Sequence, residues 1–295
     1  DWSSDVCSSD LRLVDMAGRY GAEVVTIERP WGEAFSLAEI EQALAVHRPT
    51  ILAMVHAETS TGVCQPLDGI GELCRQHDCL LLLDTVTSLG GVPLFLDEWK
   101  VDLAYSCSQK GLSCPPGLGP FTMGPRAEAK LLGRTSKVPN WYLDVSLLNQ
   151  YWGSDRVYHH TAPVNMNFGM REALRLLAEE GIENSWARHR RNAERLWAGL
   201  ESLGLELHVP EELRLATLTT VRIPEGVDGK AFSRHLLDRH GIEVGGGLGA
   251  LAGKVWRIGL MGYNSTPENV DRLLELFESE LPAFRPTAPV VAAVG

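Results

Sequence analysis

Residues 80–127 read LLLLDTVTSLGGVPLFLDEWKVDLAYSCSQKGLSCPPGLGPFTMGPRA, and this stretch decides the fold. With Cys79 before it, the opening CLLLL is a continuous apolar run, which is what a strand covered on both faces of a parallel sheet requires. Asp84 follows directly, at the carboxyl end of that strand, where open α/β sheets place the groups that meet ligands. A second strand, 103–107, ends just before Lys110, which sits in a turn rich in Ser, Gly and Pro. Small neighbours leave space around the ammonium. A lysine in such a pocket can lose its proton and become an amine that captures carbonyl carbon.

Working outward, strand-like runs alternate with helical patterns, the signature of βα units around a mainly parallel sheet. Residues 23–27 read as a strand, and 36–46 as a helix with a capping box of Ser36 and Glu39 and an inner face of Leu37, Ile40 and Leu44. Then come strand 51–55, helix 69–77 and, beyond Lys110, strand 120–123. After about Thr161 the pattern changes: helical stretches 172–179 and 184–203 lead into strands 218–223 and 255–258. The last helix is well marked, with Thr266 as cap, Pro267 in the first turn, and Val270, Leu273, Leu274, Phe277 and Leu281 recurring along one face. The expected layout is a large α/β domain over 12–180, a smaller α+β domain over 181–285 and a loose tail over 286–295.

Residues 1–11, DWSSDVCSSDL, carry no period and read as the translation of a sequencing-adapter oligonucleotide, so they are set aside from fold reasoning. The expectation that goes with this is an N-terminally truncated chain.

Composition narrows the function. Among 295 residues, 27 Lys and Arg stand against 38 Asp and Glu, a net charge of −11 that offers no footprint for nucleic-acid phosphates or an anionic membrane surface. No apolar run approaches the roughly 20 residues that span a bilayer. With no signal peptide visible, the expected location is cytoplasmic. Cys74, Cys79, Cys107 and Cys114 lack the spacing of a redox or metal motif and read as buried reduced thiols. The His159 and His160 pair likewise has no ligand spacing, so interface packing is expected there and no metal. Gly245, Gly247 and Ala250 match a dinucleotide fingerprint, but no βαβ unit follows.

One cofactor needs a lysine and a carboxylate paired in this way: pyridoxal 5′-phosphate, held as a lysine Schiff base while an acid keeps its ring nitrogen protonated. Residues 80–127 resemble the alanine:glyoxylate and serine:pyruvate aminotransferases, class V enzymes of the fold-type I PLP-transferase fold. The resemblance extends back through HAETSTGVCQPLDGIGELC (56–74) and forward through YHHTAPV (158–164), GIENSWARHR (181–190), GGLG (246–249), KVWRIGL (254–260) and ENVDRLLE (268–275).

The resemblance implies site roles. Lys110 is similar to the Schiff-base lysine and Asp84 to the partner of the pyridinium nitrogen. Val86, two residues on and on the same side of an extended segment, would pack against one ring face. Thr59 would bond near the ring's phenolic oxygen, with Glu58 and Ser60 as neighbours, and Gln109 would reach the phosphate. Tyr158 and Thr161 look like residues that reach the phosphate of the other subunit's cofactor, which implies a homodimer with shared active sites. Arg257 resembles the clamp for the substrate α-carboxylate, a task suited to a planar bidentate donor. The substrates implied are small amino acids and 2-oxo acids: alanine or serine as donor, glyoxylate or pyruvate as acceptor.

The family's glycine-rich phosphate turn and ring-stacking aromatic would lie upstream of this sequence. Cysteine desulfurases and selenocysteine lyases share the fold but place a His before the Schiff-base lysine, where this chain has Gln109. A ureidoglycine or phosphonate aminotransferase of the same subfamily stays open, as does a chain that binds a partner subunit but no cofactor.

Overall fold

The computed structural model describes residues 9–285, so the expected tail and most of the adapter-like segment lie outside the described residues. The first element, α1 (Ser9–Arg19), begins three residues before the change of pattern at Arg12. Residues 23–27 form no strand, a correction to the sequence reading. Among the described residues no other strand pairs with them, and Val24, Val25 and Ile27 are exposed, so neither a ladder nor a core holds the segment extended.

From Ser36 the expected elements follow closely. In α2 (Leu37–His47) the Ser36 hydroxyl accepts the Glu39 N–H at 3.3 Å and the Glu39 carboxylate accepts the Ser36 N–H at 2.9 Å, completing the capping box. Ile40 and Leu44 are buried, but Leu37 is exposed, so the inner face is narrower than expected. Next come β1 (Ile51–Val55), α3 (Ile70–Gln76), β2 (Leu80–Asp84), β3 (Leu103–Tyr105) and β4 (Phe121–Met123). They form one sheet in the order β1-β2-β3-β4, with the first three parallel and β4 antiparallel. The register aligns Val55 with Asp84 and Asp84 with Tyr105, so three carboxyl ends share one row.

Leu81 and Leu83 of β2 are fully buried against α2 and α3, as the CLLLL run requires. Cys74, Cys79 and Cys114 are buried free thiols, whereas Cys107 is only half-buried because it lies past the end of β3, in the turn that leads to Lys110.

Helices α4 (Pro125–Leu132), α5 (Val145–Trp152), α6 (Val164–Glu180) and α7 (Ile182–Ser202) lead into the second sheet. That sheet holds β5 (Leu218–Arg222), β6 (Gly245–Gly246) and β7 (Val255–Gly259), all antiparallel, with α8 (Gly229–His240) and α9 (Pro267–Glu280) packed on it. Phe232, Trp256 and Phe277 meet edge to face with ring centroids 5.0–5.5 Å apart, and Leu196 and Leu200 of α7 join the same core. Val270, Leu273 and Phe277 of the expected α9 stripe are buried there, with Leu281 following. Among the described residues no helix is long and apolar enough to cross a membrane.

Candidate active site

Asp84 ends β2 with its side chain 3% exposed, and both carboxylate oxygens are held. The Val86 N–H donates to Oδ1 at 2.8 Å and the Tyr105 hydroxyl donates to Oδ2 at 2.6 Å. A carboxylate buried this deeply, with a donor on each oxygen, is held as an acceptor of fixed direction. The chain turns immediately after Asp84, so Val86 is not part of an extended segment, contrary to the geometric premise of its expected role. Its amide orients the carboxylate, and its side chain is half-buried beside it.

Lys110 is half-buried in the turn beyond β3. The turn is tied internally: Ser113 N–H donates to the Lys110 carbonyl at 2.9 Å and the Ser108 hydroxyl to the Pro115 carbonyl at 2.7 Å. It is also pressed from two sides. A Cβ on Gly111 would lie 2.3 Å from the Leu89 carbonyl, in the turn that follows Asp84. From the other side, the Tyr263 N–H donates to the Ser113 hydroxyl at 2.8 Å, and Gly262 lies so close that its Cβ would overlap the same oxygen.

Behind Gly262, His189 Nε2 accepts the Gly262 N–H at 2.9 Å while Nδ1 donates to the Ser185 carbonyl at 2.7 Å, which assigns the neutral Nδ1–H tautomer. Burial pushes the Cys107 thiol up; the Lys110 ammonium opposes that shift and the Asp84 carboxylate adds to it, so the charges of both groups are felt at one sulfur.

Arg257, central in β7, reaches from the second sheet to the turn that holds Thr59. Its Nε donates to the Gly246 carbonyl at 2.7 Å and Nη1 to the Thr59 carbonyl at 3.1 Å. Thr59 lies in a tight turn whose Glu58 Oε1 accepts both the amide and the hydroxyl of Ser60 at 2.8 Å. The link to Arg257 is therefore made by the Thr59 backbone, and Gly246 is a partner that the sequence did not single out.

The remaining expected residues stand apart. Gln109 is exposed, and Tyr158, 70% exposed, meets Thr161 across 3.0 Å between their hydroxyls. Among the described residues no hydrogen bond joins Tyr158 or Thr161 to Asp84 or Lys110. His159 is buried by stacking on Trp141, with ring centroids 4.1 Å apart, and its Nδ1 meets that of His160 at 2.9 Å.

Tyr105 is the residue that sequence reasoning missed. It ends the strand parallel to β2, one row across from Asp84, a relationship that only the register of the two strands reveals.

The chain is 44% identical over 275 residues to an alanine-glyoxylate aminotransferase of Mus musculus, covering 92% of this chain and 66% of that protein. It is 47% identical over 274 residues to the one of Callithrix jacchus, with the same coverage. The chain thus spans just under two thirds of the length of these relatives. A solved alanine-glyoxylate aminotransferase from Nostoc sp. superposes with a TM-score of 0.89 at 67% identity, over 90% of this chain and 71% of that one. A solved ureidoglycine-glyoxylate aminotransferase from Bacillus subtilis gives 0.90 at 39% identity, over 95% and 72%. The family model for aminotransferase class-V matches residues 6–273. With β2 ending in a doubly held Asp84 and Lys110 lying in the turn beyond β3, this chain belongs to the aminotransferase class-V family.

Proposed function

We propose that this chain carries the catalytic machinery of a pyridoxal 5′-phosphate-dependent aminotransferase that moves an amino group from alanine or serine to glyoxylate or pyruvate, working as a homodimer. The observation that carries the reading is Asp84: a buried carboxylate held by two donors, in a chain 67% identical to an alanine-glyoxylate aminotransferase.

The donor set suits the cofactor. Asp84 is an acceptor of fixed direction for a protonated ring nitrogen, Lys110 is an amine in a turn of small residues, and Gly111 and Gly262 hold that turn with no side chain of their own in the way. When bound, the cofactor supplies an electron sink for the charge that develops at the substrate Cα.

Each remaining role belongs to the chain. Lys110 is the amine that would hold the cofactor through its aldehyde, and as a free amine it would take the proton from the substrate Cα as a general base. Asp84 keeps the ring nitrogen protonated, and Tyr105 with the Val86 amide holds Asp84. Arg257, steadied by the Gly246 and Thr59 carbonyls, receives the α-carboxylate common to donor and acceptor. Thr59 and Val86 line the ring side of the site, and Gln109 serves the phosphate. Tyr158 and Thr161, exposed and joined to each other, serve the phosphate of the partner's cofactor. Exposed Trp152, Val157, Val164 and Phe168 nearby are the kind of surface that a second copy covers.

The test is a substrate panel with the cofactor-loaded protein. Alanine plus glyoxylate should yield equal amounts of pyruvate and glycine, with ping-pong kinetics. Borohydride reduction followed by peptide mapping should put the pyridoxyl label on Lys110. Turnover with ureidoglycine but not with alanine or serine, sulfide release from cysteine, or a label on Lys100 would overturn the reading.

A further inference from the structure

Helices α8 and α9 end against each other. His240, the last residue of α8, brings Nε2 to 2.7 Å from Oε1 of Glu280, the last residue of α9. His235, farther back on α8, brings its own Nε2 to the other carboxylate oxygen, Oε2. One donor atom from each of the three residues lies within 4.8 Å of the others, all three residues are half-buried, and the two imidazole centroids are 5.8 Å apart. None of the three belongs to the Asp84–Lys110 site; His235 and His240 are spaced H-x4-H along α8, within the range common among zinc ligands, and Glu280 joins them from another helix.

We propose that His235, His240 and Glu280 form a site for a divalent transition metal of the zinc class, which cross-links the ends of α8 and α9. Two imidazole nitrogens and one carboxylate oxygen are the donor set such borderline cations select over magnesium or calcium. With metal–ligand bonds of about 2.0–2.2 Å, neighbouring ligands on a tetrahedral cation stand roughly 3.3 Å apart, within the spread of these atoms after small side-chain rotations. The cation takes the place of the Nε2 hydrogens now directed at one carboxylate, each neutral ring carrying its proton on Nδ1 instead. Three protein ligands leave a fourth position for water, and half-burial leaves a path by which the metal enters.

The field favours a cation, because two helix C-termini meet here and each carries partial negative charge. The ligands are also held from behind. Arg272 donates to the His240 carbonyl at 2.9 Å, and the His235 ring lies against Phe284, centroids 5.2 Å apart, which in turn packs on Phe232.

The experiment is calorimetric titration of the chelator-stripped 295-residue chain with zinc chloride, alongside thermal melting with zinc or magnesium. One saturable equivalent of zinc is expected, with the melting temperature raised by zinc and not by magnesium. In His240→Ala and in Glu280→Gln the affinity should fall at least tenfold and the melting shift should vanish. Glu280→Gln keeps the side-chain shape and an oxygen acceptor, and melting without metal checks that it folds. Cobalt in place of zinc should give visible bands without thiolate charge transfer, since no cysteine takes part. Absence of saturable binding, binding unchanged in both variants, or a thiolate band would overturn the proposal and leave the three groups as a hydrogen-bonded cluster.

Discussion

The Tyr105 hydroxyl donates to Asp84 Oδ2 across 2.6 Å, and the register that makes this possible is the parallel pairing of β2 with β3, in which the two residues stand side by side. The acid at the centre of the proposed chemistry is thus oriented by the neighbouring strand as well as by its own following turn. Replacing Tyr105 with Phe keeps the ring but leaves one oxygen of a buried carboxylate without that donor. A hydrogen bond to a charged group contributes roughly 1.5–3 kcal/mol, so the urea midpoint should fall accordingly. Cofactor affinity and turnover should fall with it, because Asp84 gains rotational freedom. Unchanged stability and unchanged cofactor affinity in Tyr105→Phe would show that Asp84 keeps its orientation without the Tyr105 hydroxyl.

Arg257 offers a different separation. Its guanidinium already spends two N–H groups on the Gly246 and Thr59 carbonyls, which set its plane. Arg257→Ala should raise KM for the amino donor and for the 2-oxo acid by at least about tenfold, the loss of a charge-assisted bond of roughly 1.5–3 kcal/mol. Arg257→Lys should not restore it, since a single ammonium cannot bond both carbonyls and a carboxylate in one plane. Steady-state kinetics with both substrates varied, together with an amine lacking a carboxylate, will decide. Equal loss for the carboxylate-free amine would mean that Arg257 only ties the second sheet to the Thr59 turn.

Acid should weaken the fold through buried imidazoles, beginning above the ordinary carboxylate range. Burial lowers His56 from an ordinary 6.5 to about 4, and burial also lowers His189. Above pH 6.5 both the folded and unfolded chains hold these imidazoles neutral. Below it the unfolded chain takes up protons that the folded chain refuses, so stability falls as pH falls toward about 4. The paired carboxylate Glu180 starts from an ordinary 4.5 and is lowered by its hydrogen bond from Arg188, so it enters only below that. At pH 4.5 the His56 contribution alone is roughly 2–3 kcal/mol. Urea titrations at pH 7 and 4.5 should show the loss, and His56→Leu should reduce it. An identical pH slope in the variant would assign the loss to other groups.

How much of this was legible beforehand depends on whether the signal was local. The α2 capping box, the CLLLL strand and the α9 stripe are local patterns, and each forms close to where the residues place it. Residues 23–27 have strand composition but no strand neighbour among the described residues, and pairing is a property of the partner rather than of the segment. Asp84 and Lys110 could be found because strand ends are visible in sequence. Tyr105 could not be paired with Asp84 without the register of β2 against β3. The Gly246 and Thr59 carbonyls, backbone atoms 187 residues apart, carry no side-chain signal for Arg257 at all.

The tightest test of the site's architecture is Gly111. A methyl group there would meet the Leu89 carbonyl at 2.3 Å and the Gly91 amide nitrogen at 3.3 Å, and both are backbone, which cannot rotate away as a side chain would. Gly111→Ala must therefore displace either the turn that follows Asp84 or the turn that carries Lys110. Since the two turns press on each other only because neither has a side chain at this point, the shift alters the relation between the acid and the amine. A stability loss of roughly 2–4 kcal/mol is expected from the overlap. More tellingly, cofactor affinity should fall by at least about tenfold even at temperatures where the variant is fully folded, because functional geometry tolerates little displacement. Gly18→Ala is the matched control: it lies in α1 with nothing within 4 Å of its added Cβ, and should be neutral or slightly stabilising. Absorbance titration with cofactor, run beside thermal melting on both variants, separates the two effects. A Gly111→Ala protein that melts early yet binds cofactor with unmodified affinity would mean that the two turns can part without disturbing Asp84 and Lys110.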